Sequence, residues 1–196
     1  MRNEKNPQLL FQYMVPGRVY RRAELETVTH SVDRDLKILV DRETIRKLAP
    51  GLYERPVESP FGLTPPTENE LVRAFLKTND FLVTSYNYFS QLGVGLTQVY
   101  TTWIVYNHKR SGNHTLGGRR FEFRLTPSFP RTITLEFLFV DLLNNLRRLP
   151  DKPIFVMKSL KHLVSKMNSN AFEETMSLYG RPAAQNIYRN LQHGNA

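Results

Sequence analysis

The sequence predicts an α+β protein of two domains, and three observations carry that prediction. Short helical patterns fill the first part of the chain and run into a basic hairpin, "IRKLAPGLYERP" at 45–56. A stretch dense in proline follows, "ERPVESPFGLTPPTE", with Pro56, Pro60, Pro65 and Pro66. Beyond Pro130 the pattern turns to leucine-rich helical stripes. Proline at that density disfavours helix and central strand, so it reads as an extended linker. The expected domains are 1–58 and 62–196.

In the first domain, Gln8 to Met14 reads as a helix stopped by Pro16-Gly17. Val19-Tyr20 reads as one short strand, and Arg21 to Val28 as a second helix. Ser31 is a good N-cap for a third helix, Val32 to Asp41. There Val32, Leu36, Leu39 and Val40 recur at i, i+4, i+7 and i+8, which makes one apolar face. Asp33, Arg34, Lys37 and Asp41 fall away from it. The hairpin comes next. Helix, short strand, helix, helix, hairpin is the element order of a winged helix-turn-helix.

The second domain opens on Thr67-Glu68-Asn69-Glu70, a capping box for a helix carrying Leu71, Ala74 and Phe75. Phe81 to Thr84 reads as a buried strand, and Tyr86 to Leu92 as a helical turn ended by Gly93. Gln98 to Tyr106 and Arg119 to Arg124 read as partner strands joined by the polar loop "NHKRSGNHTLGG". Leu135, Leu138, Phe139, Leu142, Leu146 and Leu149 form one helical stripe, ended by Pro150. Val156, Leu160, Leu163, Val164 and Met167 form another. Pro182 suits the first position of a last helix, with Ile187 and Leu191 inward. The second domain is therefore mixed α/β, ending in a helical bundle-like region.

Composition narrows the function. There are no cysteines, which excludes disulfides, thiolate zinc sites, iron–sulfur clusters and a cysteine nucleophile. The N-terminal "MRNEKNPQLLFQYM" lacks the apolar core of a signal peptide, and no run approaches the ~20 apolar residues of a membrane span. The expectation is a cytoplasmic protein with no membrane partner. The formal net charge of +9 points to a polyanionic partner. Residues 1–60 hold 11 of the 27 basic and 9 of the 18 acidic side chains, so most of the surplus lies beyond them.

A basic hairpin after a helix-turn-helix is where a wing reaches a phosphate backbone. The candidate DNA-binding residues are Arg34 and Lys37 toward the major groove and Ser31 toward a phosphate. Arg21 and Arg22 start the second helix, and Arg46, Lys47 and Tyr53 lie on the wing. A second candidate anionic-partner surface comprises Lys109, Arg110, Arg119, Arg120 and Arg124. The histidines of "HKRSGNH" lack helical i, i+4 spacing and a nearby acidic ligand, so a solvated loop is the better reading than a metal site. "GVG" at 93–95 is only a fragment of a dinucleotide fingerprint and is rejected. No catalytic residue, cofactor or metal is assigned.

The chain resembles the AbiEi-type antitoxins of type IV toxin–antitoxin systems. The resemblance rests on "VPGRVYRRAEL" at 15–25, "IRKLAPGLYERP" at 45–56, "FGLTPPTENELVRAFL" at 61–76, "SYNYFSQLGVGLTQV" at 85–99, "RRFEFR" at 119–124 and "LEFLFVDLLNNLRRLPD" at 135–151. It implies a winged helix-turn-helix that represses its own operon at inverted repeats. It also implies an antitoxin domain counteracting a nucleotidyltransferase-like toxin, directly or indirectly, and it supplies no catalytic residues. The alternatives are a stand-alone winged-helix regulator, or an RNA- or nucleotide-handling enzyme using the basic loop and strand at 108–124.

Overall fold

A computed structural model describes residues 5–94, 98–149, 153–164 and 169–192. The chain is α+β with several small sheets. It divides into two compact units, Met1–Asp80 with Lys109–Glu122, and Phe81–His108 with Phe123–Ala196.

The first unit begins with α1 (Lys5–Tyr13), β1 (Val19–Arg21), α2 (Arg22–Leu25) and α3 (Val32–Asp41), followed by β2 (Arg46–Ala49) and β3 (Leu52–Glu54). The three strands form an antiparallel sheet in the order β1-β3-β2, with Tyr53 facing Tyr20 on one side and Lys47 on the other. Gly51, at φ +73°, takes the left-handed turn at the hairpin tip. The periodicity of α3 buries Val32, Leu36 and Leu39 against Leu10, Met14, Tyr20 and Leu25. Two details differ from expectation. The Ser31 hydroxyl makes no capping bond; only its carbonyl accepts, from Asp35 N at 3.0 Å. The second helix is a single turn, because Thr27 Oγ1 donates to Glu24 O at 2.9 Å and the β-branched run Thr27-Val28-Thr29 does not propagate it.

The proline-rich stretch contains a second hairpin, β4 (Val57–Ser59) with β5 (Gly62–Thr64). Its prolines avoid the paired positions: Pro56 precedes β4, Pro60 sits in the turn and Pro65 follows β5. Gly62 at φ +105° and a 2.6 Å bond from Ser59 Oγ to Gly62 O close the turn. The capping box at Thr67 then starts α4 (Glu68–Leu76), with Thr67 Oγ1 accepting from Glu70 N and Thr67 N donating to Glu70 Oε2.

Residues 109–122 return to this unit. The expected loop contains β8 (Gly112–Leu116), joined to β9 (Arg119–Leu125) through Gly117-Gly118 at φ +55° and +77°. Two successive positive φ values make the two-residue turn that closes a tight hairpin. Gly117 N donates to Leu48 O at 2.8 Å, and Lys109 Nζ donates to the carbonyls of Leu76 and Lys77 at the end of α4. These bonds explain why the packing does not divide the chain at residues 58–62.

The second unit holds β6 (Phe81–Thr84), a short 3-10 helix over Tyr86–Leu92 ended by Gly93, β7 (Thr102–Asn107) and the end of β9. β6 pairs antiparallel with β7, Val83 opposite Val105. β7 starts later than the expected Gln98, because the Asn87 side chain takes both Tyr100 N and Tyr100 O, each at 2.8 Å. The helices are α5 (Leu135–Asn145), α6 (Pro153–Val164), α7 (Ser169–Tyr179) and α8 (Pro182–Gln192). Pro150 and Met167, named in the sequence stripes, lie outside the described residues. α5 is buried on nearly every side from Phe137 to Leu143, as expected of a central helix. Phe139 meets Phe172 of α7 and Tyr188 of α8 edge to face. Among the described residues, no helix is long and apolar enough to cross a membrane.

Candidate functional site

The first group of candidate residues divides into exposed side chains and side chains already engaged. Arg22 at the start of α2 is held by two carboxylates. Its Nε and Nη2 donate to Asp33 Oδ1 and Oδ2 at 2.5 and 2.6 Å, and Nη1 pairs with Glu26. The bond from Arg22 holds the Asp33 carboxyl below the usual aspartate range. Arg21 pairs with Glu24 at 3.1 Å and lines a cleft of about 500 Å³ with Arg18, Arg73 and Lys77. Arg46 Nη2 lies 2.7 Å from Glu54 Oε1, and that glutamate is fully buried. Burial raises the Glu54 carboxyl, and Arg46 counteracts it. Tyr53 packs half-buried against the core.

Arg55, whose charge belongs to the same hairpin, is structural. Its Nη1 donates to the carbonyls of Phe11 and Met14 at 3.2 Å, and its guanidinium lies 3.9 Å from the Phe11 ring centre. What remains outward is Arg34 and Lys37 on α3 and Lys47 on β2. Arg34 pairs with Asp35 at 3.5 Å, and among the described residues neither lysine makes an ion pair. The acidic character of α3 is largely spent internally. Asp33 serves Arg22, and the fully buried Asp35 accepts from Thr29 Oγ1 at 2.6 Å.

The second group is divided between the units, with Lys109, Arg110, Arg119 and Arg120 in the first and Arg124 in the second. Lys109 caps carbonyls of α4, and Arg110 stacks over Phe75 at 4.5 Å. Arg119 donates to Glu68 Oε1 at 2.5 Å and to Pro66 O at 2.6 Å. Arg120 is exposed. Arg124 reaches Asn145 and Tyr86 within the second unit. His114 packs on Phe75 and His108 on Phe129, in different units. Among the described residues, no three His, Cys, Asp or Glu side chains group as metal ligands.

The sequence reading missed a buried polar cluster in the second unit. Tyr106 OH donates to Asp141 Oδ1 at 2.5 Å, and Asn145 Nδ2 donates to the same oxygen at 2.8 Å. Arg124 Nη1 donates to Asn145 Oδ1 at 2.8 Å, and its Nη2 donates to Tyr86 OH at 3.0 Å. Asp141 is 2% exposed. Burial pushes its carboxyl up to about 6, opposed by the bond from Tyr106, the Arg124 and Arg181 charges and the bond from Asn145. Burial also raises the Tyr106 hydroxyl, and Asp141 adds to that rise. The available signal was the i, i+4 pair Asp141 and Asn145 inside the otherwise apolar "LEFLFVDLLNN".

Comparison with protein-family models, curated proteins and solved structures gave no match.

Proposed function

We propose that the chain is a DNA-binding autoregulator: an N-terminal winged helix-turn-helix in which α3 enters the major groove and the β2–β3 hairpin is the wing. The observation that supports this reading is the order α1-β1-α2-α3-β2-β3 with its β1-β3-β2 sheet, carrying Arg34, Lys37 and Lys47 exposed. Arg34 on α3 reads base edges, while Lys37 and Lys47 contact phosphates. Arg22, Arg46 and Arg55 act through the fold, because carboxylates or carbonyls occupy their guanidinium groups.

The sequence resemblance extends the proposal to an antitoxin of a type IV system, working in the cytoplasm against a nucleotidyltransferase-like toxin. The DNA-binding part is tested by titrating a duplex of the protein's own promoter. Lys37→Ala with Lys47→Ala should weaken every duplex tested and lower the salt slope by roughly 2, about 1 per lost phosphate contact. Arg34→Ala should instead narrow the gap between promoter and scrambled duplex. Equal affinity of wild type and the lysine double variant at all salt concentrations would rule out this interface. The antitoxin part is tested by co-expression with the neighbouring gene's product, where growth rescue is expected and continued arrest would refute it.

A further inference from the structure

The cleft of about 500 Å³ beside Arg21 lies in the first unit, between β1 and α4. β1 contributes Val19 and Arg21, while α4 and its C-cap contribute Arg73, Ala74 and Lys77. Successive side chains of a strand turn to opposite faces. Tyr20 turns into the helical core with Leu10, Leu36 and Leu39, so Val19 and Arg21 turn the other way, toward α4. Tyr53 and Lys47 lie in register with Tyr20 across the sheet and share its face. The cleft therefore opens on the side of the sheet away from α3. None of its cations is among those proposed to touch DNA.

The lining carries a surplus of positive charge. Arg18, Arg21, Arg73 and Lys77 stand against Glu24 and Glu70, and four cations less two carboxylates leave a net +2. Both carboxylates are engaged. Glu24 pairs with Arg21 at 3.1 Å, and Glu70 Oε2 accepts from Thr67 N and Thr67 Oγ1. Arg73 and Lys77 are exposed, and among the described residues neither side chain makes an ion pair. Cations suit a helix C-terminus, but Lys109 already donates to the carbonyls of Leu76 and Lys77 there. Arg73 and Lys77 are like charges four residues apart, and they repel. An anion between them and Arg21 relieves that repulsion. The apolar side chains of the lining are small, Val19 and Ala74, so charge and not ring stacking is what the cleft offers.

We propose that this cleft binds a small phosphorylated anion carrying at least two negative charges, held by the guanidinium groups of Arg21 and Arg73 and the Lys77 ammonium. Guanidinium forks match pairs of phosphate oxygens, and an ammonium adds a point charge. The surplus of +2 sets the least charge that the ligand brings. The volume falls within the range of small-molecule sites. Occupancy of the cleft does not depend on the DNA-binding proposal.

The test is calorimetric titration of the full chain with inorganic pyrophosphate, and with succinate as a carboxylate dianion, at constant ionic strength. Pyrophosphate should bind about tenfold more tightly than succinate, the factor that one charge-assisted hydrogen bond supplies. Arg73→Ala with Lys77→Ala, checked for folding by circular dichroism, should weaken pyrophosphate at least about tenfold. Lys37→Ala with Lys47→Ala removes the same charge elsewhere and should leave pyrophosphate binding as in wild type. No pyrophosphate binding at millimolar concentration would overturn the proposal, and so would equal binding of pyrophosphate and succinate by wild type. Those two results decide the matter even if a variant fails to fold. Equal losses in the two double variants would overturn it as well, since they would mark attraction to the overall charge. Weaker binding of the promoter duplex by Arg73→Ala/Lys77→Ala than by wild type would assign the cleft to the DNA backbone and overturn the small-anion reading. A wild-type chain that binds pyrophosphate but no duplex would refute the DNA-binding proposal and leave this one standing.

Discussion

Arg46 and Asp141 show how far a side chain's role depends on what it meets in the fold. In the sequence, Arg46 is one of two cations leading into an exposed turn; in the structure it neutralises the buried Glu54. Arg46→Ala should therefore cost stability, on the order of 2 kcal/mol in chemical denaturation, because it leaves an unpaired buried carboxylate. Arg46→Lys should recover only part of that loss. Asp141 makes a pH prediction. Its folded pKa, about 6, lies above the ordinary aspartate value of 3.8, so the folded protein binds a proton that the unfolded chain releases in that interval. Its contribution to stability is thus greatest below pH 4 and is lost as pH rises through 6. The charges that oppose the rise are those of Arg124 and Arg181, and Tyr106, itself raised by burial, stays neutral, so the carboxyl sets this window. Asp141→Asn should stabilise the protein at pH 8 by about 1–2 kcal/mol and flatten the pH 4–6 slope of thermal midpoints. An unchanged slope would mean that Asp141 is not the titrating group. None of these partnerships was legible in the sequence, since Glu54, Arg124 and Asp141 reach their neighbours only through tertiary contact.

At the scale of elements, legibility followed local chemistry. The bounds of α3 coincide with its apolar period, Val32–Asp41, and Gly93 ends its 3-10 helix as a left-handed glycine should. The Thr67 capping box is also present, with both of its bonds. Thr67→Ala should lower stability by about 1 kcal/mol, measurable as a shift in urea midpoint, and Thr67→Ser should restore most of it. Of the paired elements, the β4–β5 hairpin and β8 were missed. The β4–β5 hairpin hid behind its prolines, because proline density says nothing of which positions need an N–H. β8 hid in a glycine-bearing polar stretch and is held partly by the bond from Gly117 N to Leu48 O. α7 carried a readable signal in Phe172 and Met176 at i, i+4, both buried.

For the whole molecule, the charge count takes on a different meaning. A net +9 suggests a diffuse basic surface, yet Arg22, Arg46, Arg55, Lys109, Arg119 and Arg124 are committed to internal carboxylates, carbonyls or hydroxyls. The proposed DNA contact therefore rests on a few exposed cations, Arg34, Lys37 and Lys47, and should be correspondingly sensitive to salt and to their removal. The central claim is most directly tested by fluorescence anisotropy with the protein's own promoter duplex, across 50–300 mM salt, for wild type and Lys37→Ala/Lys47→Ala. The account predicts that affinity falls steeply with salt for wild type and that the double variant binds more weakly with a shallower slope. No anisotropy change at micromolar wild-type protein in 50 mM salt would contradict it.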